Sequence, residues 1–464
     1  MKYYLAIDIG ASSGRHILAH LEDGRIVLEE IHRFNNELIK KDGHLVWDWK
    51  RLFSEILEGM KKCKLAQKVP CSVGIDTWGV DFALLDEQGQ IIGDTVGYRD
   101  SRTQGMDVKL YETISEQELY KRTGIQKQIF NTIYQLMAVK DKEPEKLEAA
   151  KSMLMIPDYF NYLLTGVKAT EYTNASTTQL LNPQVKDWDY ELIDKLGFPR
   201  EIFQQIRRPG EKLGCLKEEI RDEVGFDCEV VLPATHDTGS AVMAVPVTED
   251  SVLYISSGTW SLMGTELKEP ICTEESRLKN LTNEGGYDYR FRYLKNIMGL
   301  WMINSARKEL ASQMPFSELC DKAFKVKINS IVDVNDDRFL APESMADEVR
   351  NACAETGQLV PLTVFEVAAV IYNSLAKCYA DTVSEIEAIT KQHFNAIHIV
   401  GGGSSASLLN RLTAMACKRP VLAGPAEATS IGNVIAQMIA FDEFESLKDA
   451  RKCVAESFEI VRYE

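Results

Sequence analysis

The chain has 464 residues, enough for two or three domains, of which 45% are apolar, 26% charged and 9% aromatic. This composition excludes a disordered, collagenous or coiled-coil chain. The net charge of −16 argues against nucleic acid or an anionic membrane as a partner. No apolar run is long enough to span a bilayer, and the short N-terminal run is not a secretory signal, so a cytoplasmic protein is expected.

A β-rich run at 2–9 predicts a strand that contains Asp8, followed by a small-residue turn at 10–14 and a second strand at 15–19. Backbone N–H groups in such a turn can converge on phosphate oxygens, with Arg15 as a nearby cation. An ordinary hairpin turn is the alternative for one such loop taken alone. Because a buried carboxylate is costly unless it faces a cation, Asp8 is a candidate ligand for hydrated Mg²⁺.

The rest of the first half predicts an alternation of strands and helices. Strands are expected at 26–31, 72–76 and 81–85, and helices at 48–61, 115–124, 131–140 and 144–164.

The first hairpin is repeated about 250 residues later, where a strand at 251–255 runs into a hydroxyl-and-glycine turn and returns at 260–263. A single repeat at so long a spacing indicates two related domains rather than a solenoid. The boundary is expected near 246–248, giving domains of residues 1–245 and 246–464, with the C-terminal segment packing back on the first. A long helix at 362–391, a strand at 396–400 and a helix at 405–416 complete an α/β chain.

Three consecutive glycines, Gly401 to Gly403, follow a predicted strand and open a helix, which matches the dinucleotide pattern G-x-G-x-x-A. In a dinucleotide fold, Glu427 stands close to the position of the ribose-binding acid. That interpretation leaves both serine-glycine turns without a role. A flat glycine surface for an adenine or ribose accounts for all three loops.

Asp237 follows an apolar strand and an imidazole, in the segment His236 to Gly239. It is either a cap that accepts backbone N–H groups or a carboxylate that takes the proton from a hydroxyl attacking a phosphate. The segments 76–79 and 98–102 add the carboxylates, aromatic face and guanidinium donors of a polyol pocket, although each alone fits an exposed turn.

Six motifs, in this order and at these distances, resemble the FGGY family of carbohydrate kinases over essentially the whole chain. They are DIGASSGR, DTWGVDFALLD, YRDSRT, HDTGSAV, ISSGTWSLMG and IVGGGSSASLLNRL. The resemblance implies two ribonuclease-H-like domains of the actin and Hsp70 type, with ATP and sugar meeting in an interdomain cleft.

The resemblance also assigns roles to individual residues. ATP contacts fall on Ala11, Ser12, Ser13, Gly14, Arg15, Thr259, Asn304 and Gly402. Sugar contacts fall on Gly79, His236, Asp237, Thr238 and Asn296, with Asp237 as the catalytic proton acceptor. The assignments of Asn296 and Asn304 rest on resemblance alone.

HRFNN at His32 and HLVWDW at His44 are typical of the branch that uses Mg-ATP to phosphorylate L-rhamnulose at its 1-hydroxyl, and this is the activity implied here. A kinase of another ketose or polyol, such as xylulose or fuculose, is the alternative within the family. A non-enzymatic actin-like protein would have no use for the pair at 236–237. A sugar-responsive regulator would need a DNA-reading module, and none is expected ahead of the first strand. A monomer or homodimer is expected, with ketose and ATP as the small-molecule partners.

Overall fold

The computed structural model describes residues 1–249 and 251–464. The strands are β1 Tyr4–Ile9, β2 Ser13–Glu22, β3 Arg25–Asn35, β4 Leu38–Lys41, β5 His44–Trp47, β6 Ser72–Thr77, β7 Phe82–Leu85, β8 Thr95–Val96, β9 Ser152–Met155, β10 Thr170–Glu171, β11 Leu181–Asn182, β12 Asp187–Trp188, β13 Ile206–Arg207, β14 Lys212–Cys215, β15 Glu229–Val231, β16 Leu253–Ser257, β17 Trp260–Leu267, β18 Thr282–Gly285, β19 Phe291–Met298, β20 Ile397–Val400, β21 Val421–Ala423 and β22 Val461–Tyr463.

The α-helices are α1 Trp49–Leu65, α2 Met106–Tyr111, α3 Glu116–Thr123, α4 Thr132–Lys142, α5 Pro144–Ala149, α6 Ile156–Thr165, α7 Tyr172–Ser176, α8 Tyr190–Lys195, α9 Glu218–Val224, α10 Asp237–Met243, α11 Glu274–Leu278, α12 Trp301–Ala311, α13 Phe316–Lys325, α14 Met345–Glu355, α15 Val364–Thr390, α16 Ser407–Cys417, α17 Ala428–Ala440 and α18 Leu447–Ser457. Within the described residues, none of the helices has the length and apolar character needed to cross a membrane.

The chain forms two compact units that are interleaved in sequence. The first contains residues 1–248, 266–293 and 428–457, and the second contains 249–265, 294–427 and 458–464. The expected domains were residues 1–245 and 246–464, with the C-terminal segment packing back on the first. In the structure, the segments 266–293 and 428–457 cluster with the first unit. The apolar helix α17 explains one of these assignments, because it packs against β1 and β6 of the first unit.

The sheet of the first unit has the order β14–β15–β6–β1–β2–β3. Strand β1 pairs antiparallel with β2 and parallel with β6. The helices α1, α6 and α9 bury apolar side chains such as Leu52, Phe160 and Ile220 in one core cluster with this sheet. On α17, Asn433 reaches the backbone of Gly74, where an added Cβ would lie 2.5 Å from the Asn433 amide oxygen. The absence of a side chain at residue 74 therefore brings helix and strand close together.

The sheet of the second unit includes β19–β17–β16–β20–β21–β22 in that order. Strand β16 pairs antiparallel with β17 and parallel with β20, which repeats the arrangement of β1. The helix α15 extends over 27 residues and begins with a capping box formed by Thr363 and Glu366.

One predicted helix is wrong. The segment 144–164 is not a single helix, because the helices α5 and α6 are separated by the strand β9, which pairs antiparallel with β7. All four residues of β9 are buried. A short, fully buried apolar run has no periodicity that distinguishes a strand from a helix, and here sheet pairing decides.

Candidate active site

Two aspartates lie side by side on neighbouring parallel strands of the first unit. Asp8 on β1 is in register with Asp76 on β6 and faces Arg15 on the antiparallel strand β2. The Arg15 guanidinium donates from both Nε and Nη2 to Asp8 Oδ2, at 3.0 and 2.9 Å. The protein cation that faces Asp8 is therefore Arg15.

Asp76 is fully buried, and its Oδ2 accepts a 2.6 Å hydrogen bond from Asn433. Its Oδ1 has no hydrogen-bond partner among the described residues. Burial, with the negative charge of Asp8 as the next cause, raises the pKa of Asp76 well above its ordinary value. A buried carboxylate oxygen without a partner beside a second carboxylate is suited to a cation.

The turn between β1 and β2 is held by Asn36. The Asn36 backbone N–H donates to Ser12 O at 3.0 Å, and its side chain donates to Gly10 O at 2.9 Å. Ser12 at the tip of the turn is exposed. At Gly14 an added Cβ would lie 2.1 Å from the Phe34 ring, so packing alone accounts for glycine at this position.

Asp237 begins α10. The loop before it follows β15 and lies beside the end of β6. The Thr77 N–H donates to Thr235 O at 2.9 Å, which places the 235–237 segment beside the strand that carries Asp76. Asp237 Oδ1 accepts from the backbone N–H and hydroxyl of Thr238 at 2.6 and 3.2 Å. Its side chain remains 34% exposed. Burial is nevertheless the main cause that raises its pKa above the ordinary value, and the negative charge of Asp8 raises it further.

A buried glutamate anchors the 235–237 segment. Glu171 Oε2 accepts from the Thr235 N–H at 3.0 Å and from the Thr235 hydroxyl at 2.7 Å, while Oε1 accepts from the Thr173 N–H at 2.8 Å. The Thr173 hydroxyl in turn accepts from the His236 N–H at 3.2 Å. Because Glu171 is fully buried, these bonds fix the backbone on which His236 and Asp237 stand.

The loop between β6 and β7 contains a strained residue next to Gly79. Val80 has φ of 67°, an outlier for a β-branched side chain, and its N–H donates to Thr177. The next residue, Asp81, accepts from the indole nitrogens of Trp47 and Trp78 at 2.7 and 2.9 Å. Burial raises the pKa of Asp81 to about 6. These contacts hold the loop in place, and Gly79 itself is buried, where an added Cβ would lie 3.0 Å from the Thr177 side chain.

In the second unit, the turn after β16 meets the glycine loop after β20. A Cβ at Gly403 would lie 1.9 Å from the Ser257 hydroxyl, whereas a Cβ at Gly402 would meet nothing within 4 Å. Gly402 is exposed. The carbonyl of Thr259 accepts from the Trp301 N–H at the start of α12. Gly403 therefore serves internal packing, while Gly402 offers an open, flat surface.

The sequence-predicted site residues divide between the units. The first unit brings together Asp8, the turn at 11–15, Gly79 and the segment 236–238. The second unit contains Thr259, Asn296, Asn304 and Gly402, with Asn304 exposed on the first turns of α12.

Sequence analysis did not identify Glu171, Asn433, Arg292 or Glu284. All four side chains are buried, and Asn433 lies in a largely apolar segment. The spacing of Asn433 and Gln437 along the otherwise apolar helix α17 was a usable signal, because such side chains need partners when buried.

The N-terminal domain of the FGGY family of carbohydrate kinases matches residues 3–244, and the C-terminal domain of the same family matches residues 253–441. The chain belongs to the FGGY family of carbohydrate kinases. It is a sugar kinase, and the dinucleotide-binding interpretation of the glycine loop is therefore wrong.

Two relatives of this FGGY-family kinase match over nearly their whole length. A rhamnulokinase of Halalkalibacterium halodurans is 52% identical over 463 residues, covering 100% of this chain and 99% of the relative. A rhamnulokinase of Bacillus subtilis is 44% identical and covers 98% of this chain and 94% of the relative.

Solved structures show the same two-domain fold, the FGGY form of the actin and Hsp70 type. A ligand-bound xylulose kinase from Lactobacillus acidophilus has a TM-score of 0.81 at 18% identity, with 100% of this chain and 94% of that chain covered. Plasmodium falciparum glycerol kinase with ADP has a TM-score of 0.80 at 14% identity, covering 100% and 94%. The predicted fold class is confirmed.

Proposed function

We propose that this chain transfers the γ-phosphoryl group of ATP to the 1-hydroxyl of L-rhamnulose in L-rhamnose catabolism. The observation that carries the proposal is the Asp237 carboxylate, which is held through Oδ1 by Thr238 yet remains a third exposed. Full-length relatives named rhamnulokinase at 52% and 44% identity support the choice of sugar.

In the proposed reaction, Asp237 orients the 1-hydroxyl and accepts its proton as the oxygen attacks the γ-phosphorus. The new bond joins the sugar oxygen to phosphorus, and the bond from phosphorus to the β–γ bridging oxygen breaks to release ADP. The raised pKa of Asp237 makes it a stronger base than an exposed aspartate. Gly79, His236, Thr238 and Asn296 are the proposed contacts to the sugar.

The residues of the first unit fit a magnesium ion. Mg²⁺ keeps several waters and takes few protein carboxylates, and Asp8 with the unpartnered Oδ1 of Asp76 offers two. No three His, Cys, Asp or Glu side chains in the described ranges converge as a metal cage. When bound, Mg²⁺ supplies charge neutralisation to the phosphates.

The nucleotide is assigned to two kinds of loop, the small-residue turns that follow β1 and β16 and the glycine loop that follows β20. The turn at Ala11, Ser12, Ser13, Gly14 and Arg15 and the turn at Thr259 contact phosphates. Asn304 and the open surface at Gly402 contact the nucleoside, since a Cβ at Gly402 meets no protein atom. Arg15 offsets charge on the transferring group.

A coupled ADP-release assay with Mg-ATP and a panel of ketoses and polyols tests the substrate. L-Rhamnulose should give the highest kcat/KM, and ketoses with the same stereochemistry at the reacting end should react more slowly. A site that hydrogen-bonds hydroxyls rejects analogues lacking one by as much as about 10⁴, whereas an extra methyl is discriminated weakly.

Phosphorus–proton NMR of the product should show coupling to the protons on C1. Phosphate on another carbon, or a clear preference for xylulose or fuculose, would leave a sugar kinase but overturn the assignment to L-rhamnulose.

A further inference from the structure

A buried arginine and a buried glutamate stand directly behind the imidazole of the catalytic loop. Arg292 on β19 has no exposed surface, and its Nη2 lies 3.0 Å from His236 Nδ1. The same Nη2 lies 3.2 Å from Glu284 Oε2, and Arg292 Nε donates to Gly285 O at 2.7 Å. All of these residues belong to the first unit.

Because arginine can only donate hydrogen bonds, it determines which nitrogen of the His236 imidazole carries the proton. A guanidinium carries only N–H donors and is not deprotonated in proteins. His236 Nδ1, at hydrogen-bond distance from such a donor, must therefore be the acceptor and carry no proton. A neutral imidazole that lacks a proton on Nδ1 has one on Nε2.

Glu284 offers the competing arrangement, in which Nδ1 carries a proton and donates to a carboxylate. Glu284 Oε2 lies 3.4 Å from Nδ1, which is longer than the 3.0 Å contact to Arg292. The carboxylate is also neutralised by Arg292 itself. The shorter contact, from a group that can only donate, favours the unprotonated Nδ1.

On the other side of the ring, Nε2 faces the catalytic carboxylate. It lies 3.6 Å from Asp237 Oδ1, too far for a hydrogen bond. Among the described residues, the charged groups in contact with the imidazole are Arg292, Glu284 and Asp237. Nε2 therefore lies beside the carboxylate of the proposed proton acceptor, while Nδ1 faces Arg292.

We propose that Arg292 is a positioning residue that holds His236 as the neutral Nε2–H tautomer, so that His236 donates a hydrogen bond to a ketose oxygen beside the reacting hydroxyl. This inference rests on the proposed function for the identity of the acceptor oxygen. The proposal gives His236 and Asp237 separate roles. Because Nδ1 accepts from Arg292 and Nε2 already carries a proton, His236 has no nitrogen left to accept a proton from the sugar. Asp237 is left as the proton acceptor.

The tautomer is tested on the free enzyme by ¹⁵N NMR of histidine ring nitrogens, with His236→Gln to assign the signal among the seven histidines. The wild-type spectrum should show a neutral ring with the proton on Nε2. In Arg292→Met the arginine donor is removed while Glu284 Oε2 stays beside Nδ1, so a proton should appear on Nδ1. A wild-type ring protonated on Nδ1 overturns the proposal, as does an unchanged tautomer in Arg292→Met.

Two substitutions at residue 236 test the role of Nε2–H in catalysis even where removal of Arg292 prevents folding. The amide nitrogen of glutamine reaches the position of Nε2, whereas asparagine reaches only that of Nδ1. His236→Gln should therefore retain more kcat/KM for the ketose than His236→Asn. Equal activities of the two variants would contradict the donor role.

Arg292→Lys, which keeps the charge but not the planar fork, separates positioning from folding. A misplaced contact of about 1 Å can cost about 10², and a loss of that order is expected in kcat/KM for the ketose, with the KM for ATP unchanged. Arg451→Lys is the matched control: Arg451 is similarly buried, pairs with Glu266 at 2.7 Å and bonds the far end of α10. It should stay near wild type.

Equal losses in Arg292→Lys and Arg451→Lys would show a structural role only. Failure of every ketose in the panel, with the Nε2–H tautomer present, would overturn the proposed function and leave the tautomer assignment intact.

Discussion

The hairpins β1–β2 and β16–β17 occupy the same place in their two sheets but differ in charge. In each, the first strand pairs antiparallel with the next strand and parallel with a later one. In the first hairpin, the strand carries Asp8, which faces Arg15 and Asp76. In the second, Ser256 is paired with Leu262 and Val400.

In the proposed function, this difference lets one duplicated element serve two chemical tasks. The first hairpin concentrates carboxylates and a guanidinium at the end of a buried strand, which suits a cation and a transferring phosphate. The second offers hydroxyls and small residues packed tightly enough that only glycine fits at 403. Such a surface approaches a nucleotide through its backbone rather than through charge.

The largest expected effect follows from removing the Asp237 carboxylate in the first unit. Asp237→Asn should lose roughly 10²–10⁴ of kcat, because an amide keeps the shape but cannot accept the proton. ATP affinity, measured by calorimetry, should stay near wild type. A variant that retains most of its turnover would show that Asp237 is only a cap of α10.

The two hairpins are compared directly by removing their equivalent side chains. Asp8→Asn should lower kcat by about 10², the usual cost of removing one electrostatic contact to the reacting groups. Ser256→Ala, the matched change in the second hairpin, should cost less than tenfold, about the net value of a single neutral hydrogen bond. Steady-state kinetics at saturating Mg²⁺ measures both. Equal losses would remove the proposed division of tasks.

Gly402→Leu should raise the KM for ATP by about tenfold, since a side chain there projects into the space assigned to the nucleoside, and tenfold corresponds to about 1.4 kcal/mol. The KM for the ketose and the free energy of unfolding should change little. Gly403→Ala, by contrast, should lower stability in urea unfolding, because its Cβ would overlap the Ser257 hydroxyl. Weakened ketose binding alone in Gly402→Leu would contradict the assignment.

The smallest effect is a displacement of the acid limb of the kcat/KM profile for the ketose. Asp237 must be ionised to accept a proton, and its pKa is raised, so activity should fall with decreasing pH at a higher pH than for an exposed aspartate.

Asp81, with its pKa raised to about 6, binds its proton more tightly in the folded state. Its contribution to stability therefore grows as pH falls through 6 and is lost as pH rises.

Unfolding measurements at each pH distinguish the loss of activity on protonation of Asp237 from a change in the stability of the fold. Loss of activity at acid pH without loss of folded protein is the expected result, and an acid limb at the ordinary aspartate pKa would contradict the role of the perturbed carboxylate.

Local sequence determined much of this molecule. The hairpin around residues 10–14, its repeat at 256–259 and the glycine loop were recognisable because turns need small residues and strands need apolar ones, both of which are properties of neighbours in the chain. The importance of Asp8 followed from the cost of burying a carboxylate, and that of Asp237 from its position directly after an apolar strand and an imidazole. Their assignment to a carbohydrate kinase came from the order and spacing of six motifs.

Only the tertiary structure decided which partners those residues have. Asp76 meets Asn433 across 357 positions, and Arg292 meets His236 across 56. Nothing in a local pattern encodes such pairings, because they depend on how separate strands and helices pack. The strand at 152–155 was misassigned for the same reason, since its hydrogen bonds to β7 come from a distant segment. Chemistry at this site is therefore proposed from sequence motifs, while the protonation and orientation of its groups depend on the fold.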